Sequence, residues 1–126
     1  MEKIYIQATD YTPFVYFDPS TGLIELKGNS NPANSNSFYQ KFIVELDEYV
    51  THESGGLTAN LSFHYFNTSS SKCIFNMLKK LHKMQEAGRC VTINWYYLEE
   101  DEEMREVGED FSDILRMNFN FITIAA

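Results

Sequence analysis

From Leu57 the chain alternates: Leu57, Ala59, Leu61, Phe63 and Tyr65 are separated by mostly polar residues. This period of two marks a strand with one buried face. Beyond Lys72 the period changes. Ile74, Met77, Leu78 and Leu81 recur at the i, i+3, i+4, i+7 spacing of an amphipathic helix, predicted from about Ser69 to Ala87 with Gly88 as its stop. Between the two patterns lie four consecutive hydroxyl residues, Thr68-Ser69-Ser70-Ser71, with Asn67 before them and Lys72 after.

The same two periods divide the rest of the chain. Lys3 to Gln7 reads as a short strand, and Phe14–Asp18 and Leu23–Lys27 as a hairpin closed by Asp18-Pro19-Ser20-Thr21-Gly22. A first helix should run from Ser35 or Ser37 to His52, burying Tyr39, Phe42, Ile43, Leu46 and Val50, with Ser54-Gly55-Gly56 as its terminator. Val91, Ile93, Trp95 and Tyr97 alternate through a further strand. The acidic run Glu99 to Glu103 then opens a third helix, with Met104, Val107, Phe111, Ile114 and Leu115 inward despite Gly108, and Asn118 to Ile124 closes the chain as a strand. Helix and strand alternate from the first helix onward, which predicts parallel strands joined by right-handed crossovers. The expected fold is α/β: a single domain over residues 1–126 with one mixed β-sheet, an N-terminal hairpin followed by parallel crossover strands, packed against about three helices. Sites in such sheets gather where strand C-termini meet helix N-termini, and Thr68 falls at such a point.

Charge narrows the classes of partner. Eighteen acidic residues against ten basic ones give a formal charge of −8, which argues against nucleic acid and against an acidic membrane surface. No apolar run approaches the roughly 20 residues of a membrane span, and the N-terminus lacks the pattern of a secretory signal. The two cysteines, Cys73 and Cys90, have no metal or redox spacing and read as packing residues in a reducing, cytoplasmic setting. Lys79, Lys80, Lys83 and Arg89 form the densest basic cluster. They complement the C-terminal dipole of the second helix or form a docking surface for an acidic partner.

The hydroxyl turn carries two readings. Helix starts leave backbone N–H groups unpaired, so Thr68 or one of the serines would serve as an N-cap worth about 1 kcal/mol. One hydroxyl is enough for a cap, and four make the turn a candidate phosphorylation site, where about two negative charges would meet the positive helix end beside Lys72. A nucleotide-cradling loop needs glycines that this segment lacks. His52, His64 and His82 show no metal-ligand spacing, and no catalytic motif is present, so the chain is expected to have no cofactor or metal and not to be an enzyme. Two further readings are a small domain binding an anionic metabolite at this helix N-terminus and a constitutive scaffold subunit.

The run Tyr65-Phe66-Asn67-Thr68-Ser69-Ser70-Ser71-Lys72 resembles the signature of the SiaC family of bacterial regulatory phosphoproteins, which are akin in fold to the STAS-like anti-sigma-factor antagonists. Trp95-Tyr96-Tyr97 with Asp101-Glu102-Glu103-Met104 and Gly108-Glu109, and Gly28-Asn29-Ser30-Asn31-Pro32-Ala33-Asn34, fit the same family. Ala33 departs from it, standing where the family has an acidic residue. The resemblance implies reversible phosphorylation at Thr68, with Ser69 as the rival position, by a dedicated protein kinase and reversal by a PP2C-type phosphatase. It also implies that the unphosphorylated form binds a target such as a diguanylate cyclase through a surface including Asn67, Ser69, Ser70, Lys72 and Asn34. A link to cyclic-di-GMP signalling would follow.

Overall fold

The computed structural model describes residues 2–125. Its elements are β1 (Ile4–Ile6), β2 (Phe14–Asp18), β3 (Leu23–Ser30), α1 (Ser35–His52), β4 (Leu57–Phe66), α2 (Thr68–Glu86), β5 (Val91–Leu98), α3 (Glu102–Leu115) and β6 (Phe119–Ile124). They build one six-stranded sheet whose spatial order is the sequence order. β1, β2 and β3 pair antiparallel, and β3 through β6 pair parallel, so each of the three helices is a crossover. The mixed α/β architecture expected from the sequence is the one observed.

All three crossovers step in the same direction, and right-handed connections therefore put their helices on one face of the sheet. Ile24, Leu26, Ala59, Leu61, Ile93 and Trp95 point to that face and are buried against Phe42, Leu46, Ile74, Leu78 and Leu81 of the helices. Each buried leucine, isoleucine or phenylalanine among them contributes about 1.5–3 kcal/mol of apolar transfer. The opposite face carries a polar ladder. Asn120 donates its amide to Asn94 at 2.9 Å, Asn94 donates to Asn60 at 2.8 Å, and Asn60 reaches the Glu25 carboxylate at 3.4 Å. No helix among the described residues is long and apolar enough to cross a membrane.

The structure departs from the sequence reading at several positions. Tyr65 continues the alternation of β4 on paper but is 51% exposed. Gly28 pairs with Phe63 while Asn29 pairs with Tyr65, so His64 is an extra residue in β4 and the bulge resets the alternation. Phe66 turns inward instead and stacks on Phe111 at 6.5 Å. Helix α1 ends at Glu53 in an extended conformation, φ −106°, not at a left-handed glycine in Ser54-Gly55-Gly56. Arg89 completes that end by donating to the carbonyls of Val50 at 2.8 Å and Gly55 at 2.9 Å. It thus leaves the basic cluster assigned to α2. Ile114 faces solvent, and Tyr49 supplies apolar burial in α1 that the stripe omitted. Cys90 is exposed rather than packed in the core, whereas Cys73 is partly buried against it.

Candidate functional site

Because the parallel strands share a direction, the N-termini of α1, α2 and α3 lie at one end of the sheet. Each is capped by an Asx side chain. Asn34 accepts from the Ser37 N–H at 3.1 Å, Asn67 from the Ser70 N–H at 2.9 Å, and Asp101 from the Met104 N–H at 3.0 Å. The cap of α2 is thus Asn67 and not one of the hydroxyls, because Asn67, with ψ 175°, is the extended residue that precedes the helix and Thr68 is already helical. All four hydroxyl residues are left inside the first turn.

Asn67 also ties that turn to the segment before α1. Its amide nitrogen donates to Asn31 Oδ1 at 2.9 Å and lies 3.4 Å from the Pro32 carbonyl, and its backbone N–H donates to the Ser30 carbonyl at 2.9 Å. Below this junction lies a buried hydroxyl cluster. Ser30 Oγ contacts Tyr39 OH at 2.6 Å and Ser70 Oγ at 2.8 Å, and Ser35 Oγ contacts Ser70 Oγ at 3.0 Å and Ser69 Oγ at 2.8 Å. Ser30, Ser35 and Ser70 are almost inaccessible to solvent. Burial pushes the Tyr39 phenol up to about 12, so it stays neutral and available as a donor.

The four hydroxyls therefore differ. Ser70 is inside the cluster and reaches no surface. Ser69 is exposed, yet its hydroxyl is engaged by Ser35 and by Asn67 Oδ1 at 3.2 Å. Ser71 is partly buried. Thr68 is exposed and, among the described residues, its hydroxyl enters no hydrogen bond. Lys72, one helical turn on, is exposed, as is Asn34 across the junction. The front segment Gly28–Asn34 and the hydroxyl turn, separated in sequence, thus form one surface.

Two grooves flank this end. One, of about 680 Å³, lies between α1 and α2 and includes Asn34, Val44, Lys79 and Lys83. The other, of about 420 Å³, lies between α2 and α3 and includes Lys72, Phe75 and Ile114. Neither is lined by Thr68 or Ser69. Among the described residues no group of three or more His, Cys, Asp or Glu is gathered to hold a metal ion.

The sequence model of the SiaC family regulatory phosphoproteins matches residues 6–124. The chain belongs to the SiaC family. It is 28% identical over 113 residues to an uncharacterized protein of Pseudomonas aeruginosa, covering 90% of each chain. Solved structures of SiaC from Pseudomonas aeruginosa are similar throughout. The apo form aligns with a TM-score of 0.89 at 26% identity over 98% of this chain and 100% of that one. SiaC in complex with the diguanylate cyclase SiaD, whose activator it is, aligns with a TM-score of 0.87 at 28% identity, covering 98% and 99%. This SiaC-family chain is thus a regulatory phosphoprotein whose fold matches that of a cyclase activator. The buried serine cluster was the part of the site that sequence reasoning missed. Ser30 and Ser35 sat in an Asn/Ser-rich loop with no period to mark them.

Proposed function

We propose that this SiaC-family chain is a partner-switching regulator in the cytoplasm, acting as one regulatory domain. Its switch is reversible phosphorylation of Thr68 by a cognate kinase, undone by a PP2C-type phosphatase, and its unphosphorylated form binds and regulates a diguanylate cyclase. The observation that carries the assignment is the contrast among the four hydroxyls. Only Thr68 is both exposed and disengaged, so a kinase can take it without breaking the junction of α1 and α2. The complex of SiaC with SiaD supports the class of target.

Phosphate at Thr68 would add about two negative charges at the start of α2, where the helix dipole and Lys72 favour them. The domain need not refold. A partner that buries Asn34, Asn67, Ser69 and Lys72 around Thr68 would have to desolvate that charge, and binding would weaken. Ser70 serves this surface from below by holding α2 to Ser30 and Ser35.

Site-resolved mass spectrometry of the protein isolated from its own cells tests the reading, with binding of the cyclase to Thr68→Ala and Thr68→Asp measured beside it. A phosphate on Thr68 that is lost in Thr68→Ala, with binding kept by Thr68→Ala and weakened in Thr68→Asp, is the expected result. Phosphate on Ser69 alone, or equal binding by both variants, would overturn it.

A further inference from the structure

The groove between α1 and α2 is not accounted for by the switch. Its floor is apolar, formed by Ile43, by Val44, which is 50% exposed on a helix face, and by the edge of Tyr39. Its rim on α2 is cationic. Lys80 is neutralised by Asp47 at 2.8 Å, whereas Lys79 and Lys83 have no carboxylate within ion-pair distance among the described residues. Lys79 leans instead over the Phe75 ring, 5.8 Å from its centroid. In a chain of net charge −8, two unpaired lysines beside an exposed valine are a local reversal of sign.

We propose that this groove docks an acidic amphipathic helix of the regulated partner, with its apolar stripe on Val44 and Ile43 and its carboxylates facing Lys79 and Lys83. The dimensions fit. Cys73 to Lys83 spans about 15 Å along α2, close to three turns of a docked helix. A small anion would satisfy the lysines but leave the apolar floor wet, and an uncharged apolar helix would leave the lysines unused. The groove opens at Asn34 beside the hydroxyl turn, so phosphate at Thr68 would stand at the end of an acidic ligand and repel it. This deepens the switch reading and rests on it only for that last effect.

The probe is a synthetic helix of about 20 residues with leucines at i, i+4, i+7 and i+11 and flanking glutamates, compared with the same peptide carrying lysines for glutamates. Each is titrated into the isotope-labelled, unphosphorylated chain and followed by NMR. The expected result is shifts at Ser37, Gln40, Val44, Asn76, Lys79 and Lys83 with the acidic peptide alone, and affinity lowered about tenfold in Lys79→Glu/Lys83→Glu. Both lysines are exposed, so thermal melting should show the variant folded. Equal shifts with the basic peptide, shifts elsewhere, or unchanged affinity in the variant would overturn the proposal. So would a monomer–dimer equilibrium abolished by the same variant, which would give the groove to a second copy of the chain. None of these outcomes depends on phosphate, so Thr68 remains separately decided by mass spectrometry.

Discussion

Gly108 sits in the middle of α3, where glycine is about 1 kcal/mol less favourable than alanine, so propensity alone makes Gly108→Ala stabilising. Packing reverses the sign. A Cβ at Gly108 would lie 2.5 Å from Trp95 Nε1 and 2.7 Å from Cδ1 and Cε2. The indole is buried and cannot yield easily, and its N–H donates to the Met104 carbonyl at 3.0 Å. Overpacking costs about 1–3 kcal/mol, and leaving the buried N–H unpaired about 1–3 kcal/mol more. Against the propensity gain, the net loss is about 3 kcal/mol, or roughly 9–15 °C in Tm for a domain of 126 residues. Urea unfolding followed by far-ultraviolet circular dichroism, which does not depend on the single tryptophan, Trp95, measures it directly. In a Trp95→Phe background the smaller ring makes room, and the cost of Gly108→Ala should fall by at least about 1 kcal/mol. A Gly108→Ala protein as stable as the parent, or a cost unchanged by Trp95→Phe, would refute the argument.

Other outcomes follow from the same geometry. Asn67→Ala removes the α2 cap and the tie to Asn31, and should cost about 1–2 kcal/mol in urea unfolding. Ser70→Ala takes one member from the buried cluster and should cost about 1–2 kcal/mol, while Thr68→Val, whose hydroxyl has no partner, should change stability by less than about 0.5 kcal/mol. The Tyr39 phenol is raised from 10.0 to about 12, so its contribution is complete below pH 10 and lost as pH rises toward 12. An ultraviolet titration should show one late-ionising tyrosine that is missing in Tyr39→Phe.

The alternation of β4 and the helical spacing of α2 were legible because each has one face on a single core, and the topology followed from their order. What sequence could not carry was anything decided by a single inserted residue or by a distant neighbour. Tyr65 has the parity of a buried residue, and only the bulge at His64 turns it out. Ile114 matches the helical period but stands at the open groove between α2 and α3, where it is 67% exposed. Thr68 was found as a candidate from the redundancy of hydroxyls. The difference between it and Ser69 comes from Ser35, 34 positions from Ser69 in the chain and 2.8 Å away in space. Arg89 read as part of a basic face until its guanidinium met the carbonyls at the end of α1.

The agreement between strand order and sequence order bears on how the chain is made. Each strand after β1 joins the free edge of a sheet already assembled, and none must wait for a later segment to be inserted beside it. During synthesis the growing edge is always the most recent one, and the loop closed at each step is an antiparallel connection up to β3 and a single helical crossover thereafter. An emerging chain of this kind can condense strand by strand as it leaves the ribosome. Because Thr68 precedes β5, its turn can form on the β3–β4 pair before the last third of the protein exists.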